Sequence, residues 1–121
     1  MKSTLHLEHL LKNKKRQKFG NIKTIIGGHT FDSKKEAERG VFLKAREKAG
    51  DIRDLQFQPE FKIEIGGMLI CKYRADFRYT SASDGRIHVE DVKSEITRKH
   101  PVYRIKKKLM FACHGIAVEE V

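Results

Sequence analysis

Long apolar runs are missing from this sequence. No stretch of its 121 residues approaches the roughly 20 consecutive apolar residues that span a bilayer, so we predict no membrane partner. The amino terminus, MKSTLHLEHLLKNKKRQK, lacks the apolar core and the small-residue cleavage site of a secretory signal. The sequence therefore predicts a cytoplasmic protein.

Cysteine is scarce as well. Cys71 and Cys113 form neither a zinc-binding spacing nor a disulfide framework, and both have apolar neighbours. We predict that they are reduced thiols in the core. The six histidines show no H-x-x-x-H or HNH-like context, so we assign them no chemistry. We also expect no small organic cofactor.

Negative charge is sparse in two segments. The chain has 26 Lys and Arg against 16 Asp and Glu, a net charge of +10. Residues 1–20 hold six basic and one acidic side chain, and residues 93–108 hold seven and one, while the remainder is nearly neutral. Two basic segments on a nearly neutral body favour a polyanion partner, with nucleic acid first. The alternative is a solvated basic face that keeps the protein soluble.

The length allows one domain with one modest core. Residues 1–20 are predicted to be a basic arm with a short helix around Leu5, Leu7, Leu10 and Leu11, and residues 21–121 to be a single domain. A helix is predicted from a Ser33 cap to about Ala49, with Gly50 following it. Its predicted apolar face consists of Ala37, Val41, Phe42, Ala45 and Ala49.

The remaining patterns predict a sheet and one more helix. Residues 55–65, 68–80 and 87–93 read as three turn-linked strands in an antiparallel meander. After Pro101 a helix is predicted with the apolar face Val102, Ile105, Leu109 and Ala112, ended by Gly115, and a short strand follows. The order α-β-β-β-α-β predicts an α+β fold, an α/β sandwich with one mixed sheet flanked by helices.

Charged residues stand where these strands should be apolar. Asp76 lies inside the second strand, and Asp91 and Lys93 end the third on the face of Val89. If the register brings them level, the two carboxylates converge and need a cation between them, for which Mg²⁺ or Mn²⁺ is suited. Lys93 would then orient or deprotonate a water, or offset charge on a phosphate. The alternative is a pair of surface ion pairs, Asp91 with Lys93 and Asp76 with Arg74 or Arg78.

At this point the chain resembles the PD-(D/E)XK nuclease superfamily, whose pattern is a helix glutamate, a strand aspartate and a following (D/E)-x-K. The matching segments are FDSKKEAERG with Glu36, YRADF with Asp76, and VEDVKS with Asp91 and Lys93. More narrowly, it is similar to small phage-encoded endonucleases close to the resolvase-type members. The resemblance covers about residues 20–121. Ala75 replaces the proline of the motif, and Ser94 replaces a frequent glycine.

The resemblance implies a restriction-endonuclease-like core and a Mg²⁺-dependent DNA endonuclease, with Mn²⁺ able to substitute. Asp76, Asp91 and Glu36 would be the metal ligands, and Lys93 the fourth catalytic residue. The helical periodicity places Glu38 rather than Glu36 in the middle of the apolar face, so the third acidic residue stays open between the two. Gln58, on the strand before Asp76, either points its amide at the site or is an exposed polar residue.

The resemblance also implies products with 5′-phosphate and 3′-hydroxyl ends, and branched DNA such as a Holliday junction as substrate, in phage-type recombination, repair or packaging. Two symmetric cuts would require a homodimer, placed in a bacterial host cytoplasm. The alternatives are a non-catalytic nucleic-acid-binding accessory protein and an RNA-directed nuclease. Phosphate contacts are predicted for ten basic residues: Lys12, Lys14, Lys15, Arg16, Lys18, Arg98, Lys99, Arg104, Lys106 and Lys107.

Overall fold

The computed structural model describes residues 24–26, 29–31 and 33–121, with side chains from Ser33 onward. These residues form eight strands and three helices. In chain order they are β1 (Thr24–Ile26), β2 (His29–Phe31), α1 (Lys34–Lys48), β3 (Ile52–Phe57), β4 (Glu60–Ile65), β5 (Met68–Arg74), β6 (Phe77–Ser81), β7 (Ile87–Asp91), α2 (Glu95–Arg98), α3 (Pro101–His114) and β8 (Glu119–Glu120).

The largest sheet has four strands in the order β3-β6-β7-β8. β6 pairs antiparallel with both β3 and β7, whereas β7 and β8 run parallel. β1 with β2 and β4 with β5 form two further antiparallel pairs. The mixed sheet and the helices confirm the predicted α+β class.

The first two predicted strands are each broken in the middle. Residues 55–65 are interrupted at Gln58 and Pro59, and residues 68–80 at Ala75 and Asp76. Pro59 has no N–H for the ladder, and Gln58 takes a left-handed φ of 54°. Two hydrogen bonds bridge the break, from Gln58 N–H to Asp76 O at 2.8 Å and from Ala75 N–H to Pro59 O at 3.1 Å. The prediction that Asp76 lies within a continuous strand is therefore wrong.

Helix α1 begins as predicted, because the backbone N–H of Glu36 donates to Ser33 Oγ at 3.1 Å. Gly50 follows its end with a φ of 85°, a conformation that favours glycine. The predicted apolar face is correct at Ala37 but wrong at Val41 and Phe42, which are about half exposed. The buried stripe is Glu36, Ala37, Gly40 and Leu43, at helical spacing.

The predicted apolar face of α3 is correct at Leu109, which packs against the core, but wrong in its first turns. Val102 and Ile105 are exposed, whereas Tyr103 and Met110 are buried. These two residues are seven positions apart and lie on one side of the helix, so the amphipathic tyrosine takes the inner position. Gly115 ends the helix as predicted, with a φ of 67° and an N–H bond to Phe111 O.

One hydrophobic core joins the strands to α3. It consists of Ile63, Tyr73, Ala75, Val89, Tyr103, Met110 and Val118. Neither cysteine belongs to the buried set, since Cys71 is half-buried and Cys113 is exposed. The prediction of two core thiols is therefore wrong for Cys113, whereas Cys71 packs against the edge of the core; both thiols are free.

The chain divides into two units with the boundary between Arg46 and Glu47 in α1. Strands β3 to β8 and helices α2 and α3 belong to the second unit. The predicted basic arm, including Lys12, Lys14, Lys15, Arg16 and Lys18, lies outside the described residues. None of the helices in the described part of the chain is long and apolar enough to cross a membrane.

Candidate active site

The candidate site begins where β7 ends. Asp91 is the last residue of β7 and pairs in register with Glu120 of β8. Its carbonyl accepts a 3.0 Å hydrogen bond from Val121 N–H, so the backbone is fixed on the parallel side. The Asp91 residue is only 1% exposed. A carboxylate is thus held inside the carboxy-terminal unit by sheet pairing.

Asp76 reaches the same place from the break between β5 and β6. Its backbone N–H donates to Glu90 O at 3.1 Å, and its Oδ2 accepts from Val92 N–H at 2.7 Å. The second bond ties the Asp76 carboxylate to the residue that follows Asp91. The two carboxyl groups lie close enough that the Asp76 carboxyl group raises the pKa of Asp91.

Tyr73 holds one oxygen of Asp91. The tyrosine is 3% exposed and its hydroxyl donates to Asp91 Oδ2. Burial, and then the neighbouring Asp91 charge, raise the pKa of the Tyr73 hydroxyl above its ordinary value. The hydroxyl is therefore a permanent donor to Asp91 at neutral pH.

Lys93 lies at the other oxygen of Asp91. Its Nζ is 3.1 Å from Asp91 Oδ1 and 5.1 Å from the centre of the Tyr103 ring. The Lys93 side chain is 21% exposed, so it links the buried carboxylate to the surface. Asp91 Oδ1 is fully buried and makes no hydrogen bond with the described residues; its contact with Lys93 is a charge contact outside hydrogen-bond geometry.

The electrostatics of the site oppose ionisation of Asp91. Burial is the largest cause, followed by the Asp76 carboxyl group, and together they raise the Asp91 pKa to about 7. The hydrogen bond from Tyr73 and the charge of Lys93 act in the other direction. One buried and one half-buried carboxyl group beside a single lysine therefore leave the site short of positive charge.

A second tyrosine connects the site to β8. The Tyr103 hydroxyl donates to Glu120 Oε2 at 2.8 Å, and Lys107 Nζ lies 3.4 Å from Glu120 Oε1. Burial works against ionisation of Glu120, yet the Tyr103 hydrogen bond and the Lys107 charge hold its pKa below its usual range. The Tyr103 ring is therefore fixed at its hydroxyl end while its face contacts Lys93.

Three of the four predicted catalytic residues are brought together, namely Asp76, Asp91 and Lys93. Glu36 lies in the first turn of α1, in the other unit, and is buried, whereas Glu38 is exposed. Its role stays a prediction from the resemblance. Gln58 is half-buried in the strand break, and its backbone bonds to Asp76.

Four of the five predicted phosphate-contacting residues in the described part of the chain line two grooves beside the site. Arg98, Arg104 and Lys107 line a groove of about 510 Å³ between α3 and β8, the α3–β8 groove. Lys106 lines a groove of about 430 Å³ between α3 and β5, the α3–β5 groove, together with Lys72, Arg74 and His100. Tyr103 belongs to both. Lys99 is exposed at the end of α2.

Sequence reasoning missed Tyr73 and Glu120. Tyr73 carried a usable signal, because a tyrosine in a core-facing row needs a partner for its hydroxyl, and Asp91 faces the same core. Glu120 carried none, since its contact with Tyr103 depends on the parallel pairing of β7 with β8.

The donor set suits a hard divalent cation. Within the described residues, no group of three or more His, Cys, Asp and Glu side chains is arranged to hold a metal ion. Mg²⁺ needs fewer protein ligands, because it keeps several waters and uses one or two carboxylates. Asp91 Oδ1 offers a buried oxygen that accepts no hydrogen bond from the part of the chain that the structure describes, and Asp76 supplies a second carboxylate beside it.

Comparison with known proteins places the chain in a family without fixing its activity. No curated protein and no solved structure matches it. Residues 16–116, which include Asp76, Asp91 and Lys93, match a family model described as "Protein of unknown function (DUF1064)". Since the match covers most of the chain, this protein belongs to the DUF1064 family.

Proposed function

We propose that this protein is a metal-dependent DNA endonuclease that hydrolyses phosphodiester bonds. The observation that carries the proposal is Asp91 Oδ1, a buried carboxylate oxygen that lies beside a second carboxylate and a lysine yet has no hydrogen-bond partner among residues 33–121. A purely structural ion pair would be expected to satisfy this oxygen, because an unsatisfied buried charge is costly. A divalent cation would satisfy it.

Asp76 and Asp91 would hold the cation, Mg²⁺ or Mn²⁺. When bound, it would supply Lewis-acid polarisation of the scissile phosphate. Tyr73 and Lys93 would have the other two roles, in orienting Asp91 and in contacting the phosphate. Tyr73 keeps Asp91 Oδ2 occupied and so turns Oδ1 toward Lys93. Lys93 Nζ, partly exposed, is the group that would contact a phosphate oxygen or an attacking water.

The cationic side chains beside the site support DNA as the substrate. Lys72, Arg74 and Lys106 line the α3–β5 groove next to Tyr73, and a phosphate backbone would meet them there. The order of elements also supports a restriction-endonuclease-like core. When β3 with β4 and β5 with β6 each count as one bent strand, the elements from α1 to β8, apart from the short α2, follow the order α-β-β-β-α-β. Symmetric cutting of branched DNA would need two copies of the chain.

A cleavage assay tests the proposal. Purified protein is incubated with supercoiled plasmid and with a synthetic four-way junction, each with Mg²⁺, with Mn²⁺ and with chelator. We expect nicking or cutting only with the metals, because Asp76 and Asp91 cannot share one site as two bare charges. Binding without cutting in every metal condition would favour the accessory-protein alternative, and cutting of structured RNA alone would favour the RNA nuclease.

Tyr73→Phe tests the orientation of Asp91. We expect Mn²⁺ affinity, measured by calorimetry, to fall about 10- to 100-fold, because a group that orients a metal ligand typically contributes that much. The cleavage rate at limiting metal should fall in parallel and recover partly at high metal concentration.

Tyr79→Phe is the matched control, since the Tyr79 hydroxyl donates to Glu90, another buried carboxylate on the opposite face of the sheet. Both variants lose a buried tyrosine–carboxylate hydrogen bond, so both should lower thermal stability. An equal loss of metal affinity in the two would show that Tyr73 acts only through the fold.

A further inference from the structure

The α3–β8 groove combines two kinds of surface. Its lining includes the cationic residues Arg98, Arg104, Lys107 and Lys108 and the apolar residues Phe111 and Val118. The Phe111 residue is 63% exposed, although Met110 beside it is fully buried. A phenyl ring left open at the edge of a basic groove offers a stacking surface rather than a core contact.

Within residues 33–121, the positive charge in this groove exceeds the negative charge that neutralises it. Glu120 is the acidic residue that lines it, and this carboxylate already accepts from Tyr103 and pairs with Lys107. Arg98, Arg104 and Lys108 have no carboxylate within ion-pairing distance among residues 33–121. Three cations beside a satisfied carboxylate suit a ligand that carries phosphate.

The groove adjoins the candidate active site. Tyr103 lines the groove, and the face of its ring lies 5.1 Å from Lys93 Nζ. Glu120 lines it as well and pairs in register with Asp91. A phosphate-bearing ligand in the groove would therefore lie next to the position where Lys93 meets the scissile phosphate.

We propose that the α3–β8 groove binds an unpaired nucleotide of the DNA substrate, with the base against Phe111 and the phosphate among Arg98, Arg104 and Lys108. In continuous duplex each base face is covered by its neighbours, whereas a base in a single strand or at a branch point is free to stack on a protein ring. The inference rests on the proposed nuclease function and names its substrate class: DNA with an unpaired segment beside the cleaved bond.

Binding is tested separately from cleavage, in chelator, with the full-length protein. The probe is a short fluorescein-labelled single-stranded oligodeoxynucleotide, compared by anisotropy with the same sequence as duplex and with a version carrying abasic sites. We expect the single strand to bind more tightly than the duplex, and abasic substitution to weaken binding about tenfold.

Phe111→Ala should also weaken single-strand binding about tenfold, and abasic substitution should then cost this variant little, because both changes remove the same stacking contact. Phe111→Tyr keeps the ring and should bind as the wild type does. Lys108→Gln should weaken binding of normal and abasic strands alike and reduce the salt dependence by about one phosphate contact. Leu69→Ala and Lys62→Gln, exposed positions outside this groove, are the matched controls.

Three results would overturn the inference: equal loss of binding in Phe111→Ala and Leu69→Ala, duplex that binds as tightly as single strand, or a ribonucleotide strand that binds more tightly than DNA. Failure of the nuclease proposal looks different. In that case Phe111→Ala and Lys108→Gln would lose single-strand binding as expected, yet no DNA would be cut with Mg²⁺ or Mn²⁺. If the wild type cut DNA but Phe111→Ala bound single-stranded DNA as tightly as the wild type, the groove inference would fail and the nuclease proposal would stand.

Discussion

Asp91→Asn is expected to reduce metal-dependent DNA cleavage by at least about 10³-fold. The amide keeps the size of the side chain and can still accept from Tyr73, but it removes the anionic oxygen that faces Lys93 at 3.1 Å. The loss should be measured in single-turnover assays on nicked and branched DNA. Mn²⁺ binding should weaken in the same variant.

Although Asp91→Asn should lose cleavage activity, its free energy of unfolding should rise. The Asp91 pKa in the folded chain, about 7, lies above its ordinary value of 3.8. The folded state therefore binds the proton more tightly than the unfolded state does, and the resulting stability is present below about pH 4 and lost as pH rises through 7. In chelator at pH 8, Asp91→Asn should be more stable than wild type, by at most about 4 kcal/mol.

Glu90→Gln is the control for this prediction, because Glu90 is the neighbouring buried carboxylate and is held by Tyr79 rather than Tyr73. Its variant should cut DNA at a rate near that of the wild type. Chemical denaturation across pH 5 to about pH 8 compares the stability curves. If the stability of Asp91→Asn depended on pH in the same way as that of the wild type, Asp91 would not be the carboxyl group whose pKa is raised by folding.

Lys93→Gln is expected to lower the cleavage rate about 10²- to 10³-fold while DNA binding changes little. Lys93 Nζ is the cation that reaches from the surface to Asp91, and a neutral amide cannot stabilise charge on a phosphate or hold a proton in its place. Mn²⁺ affinity should stay equal or increase, because the competing ammonium is gone from Asp91 Oδ1. Calorimetry with Mn²⁺ and single-turnover cleavage measure the two effects.

This pattern separates a catalytic lysine from one that only balances charge. If Lys93 were only the structural partner of Asp91, its loss would lower thermal stability and leave the rate at saturating metal intact. Lys62→Gln, an exposed lysine on β4, removes the same charge without approaching the site and should leave both quantities unchanged. If Lys62→Gln lost as much cleavage activity as Lys93→Gln, the loss would come from the lower net positive charge of the protein and not from a specific role of Lys93.

Local patterns determined much of the fold. Ser33 and Gly50 mark the ends of α1, Gly115 ends α3, and the alternation of 60–65 makes a strand, because caps, left-handed glycines and period-two burial depend on neighbouring residues alone. The faces of α1 and α3 could not be read in the same way. Val102 and Ile105 are apolar yet exposed, whereas Tyr103 is polar at its tip and buried, since a hydroxyl with a partner can enter the core.

The sequence by itself determined which chemical groups this protein has for its site: two aspartates and a lysine in the order Asp76, Asp91, Lys93, with basic residues following. Tertiary structure alone decided how they meet. The break at Pro59 and Asp76 turns one carboxylate toward Val92, the parallel pairing with β8 places Glu120 behind Tyr103, and Tyr73 selects which oxygen of Asp91 stays open. These three contacts join residues 16, 17 and 18 positions apart, and sequence spacing carries no record of register.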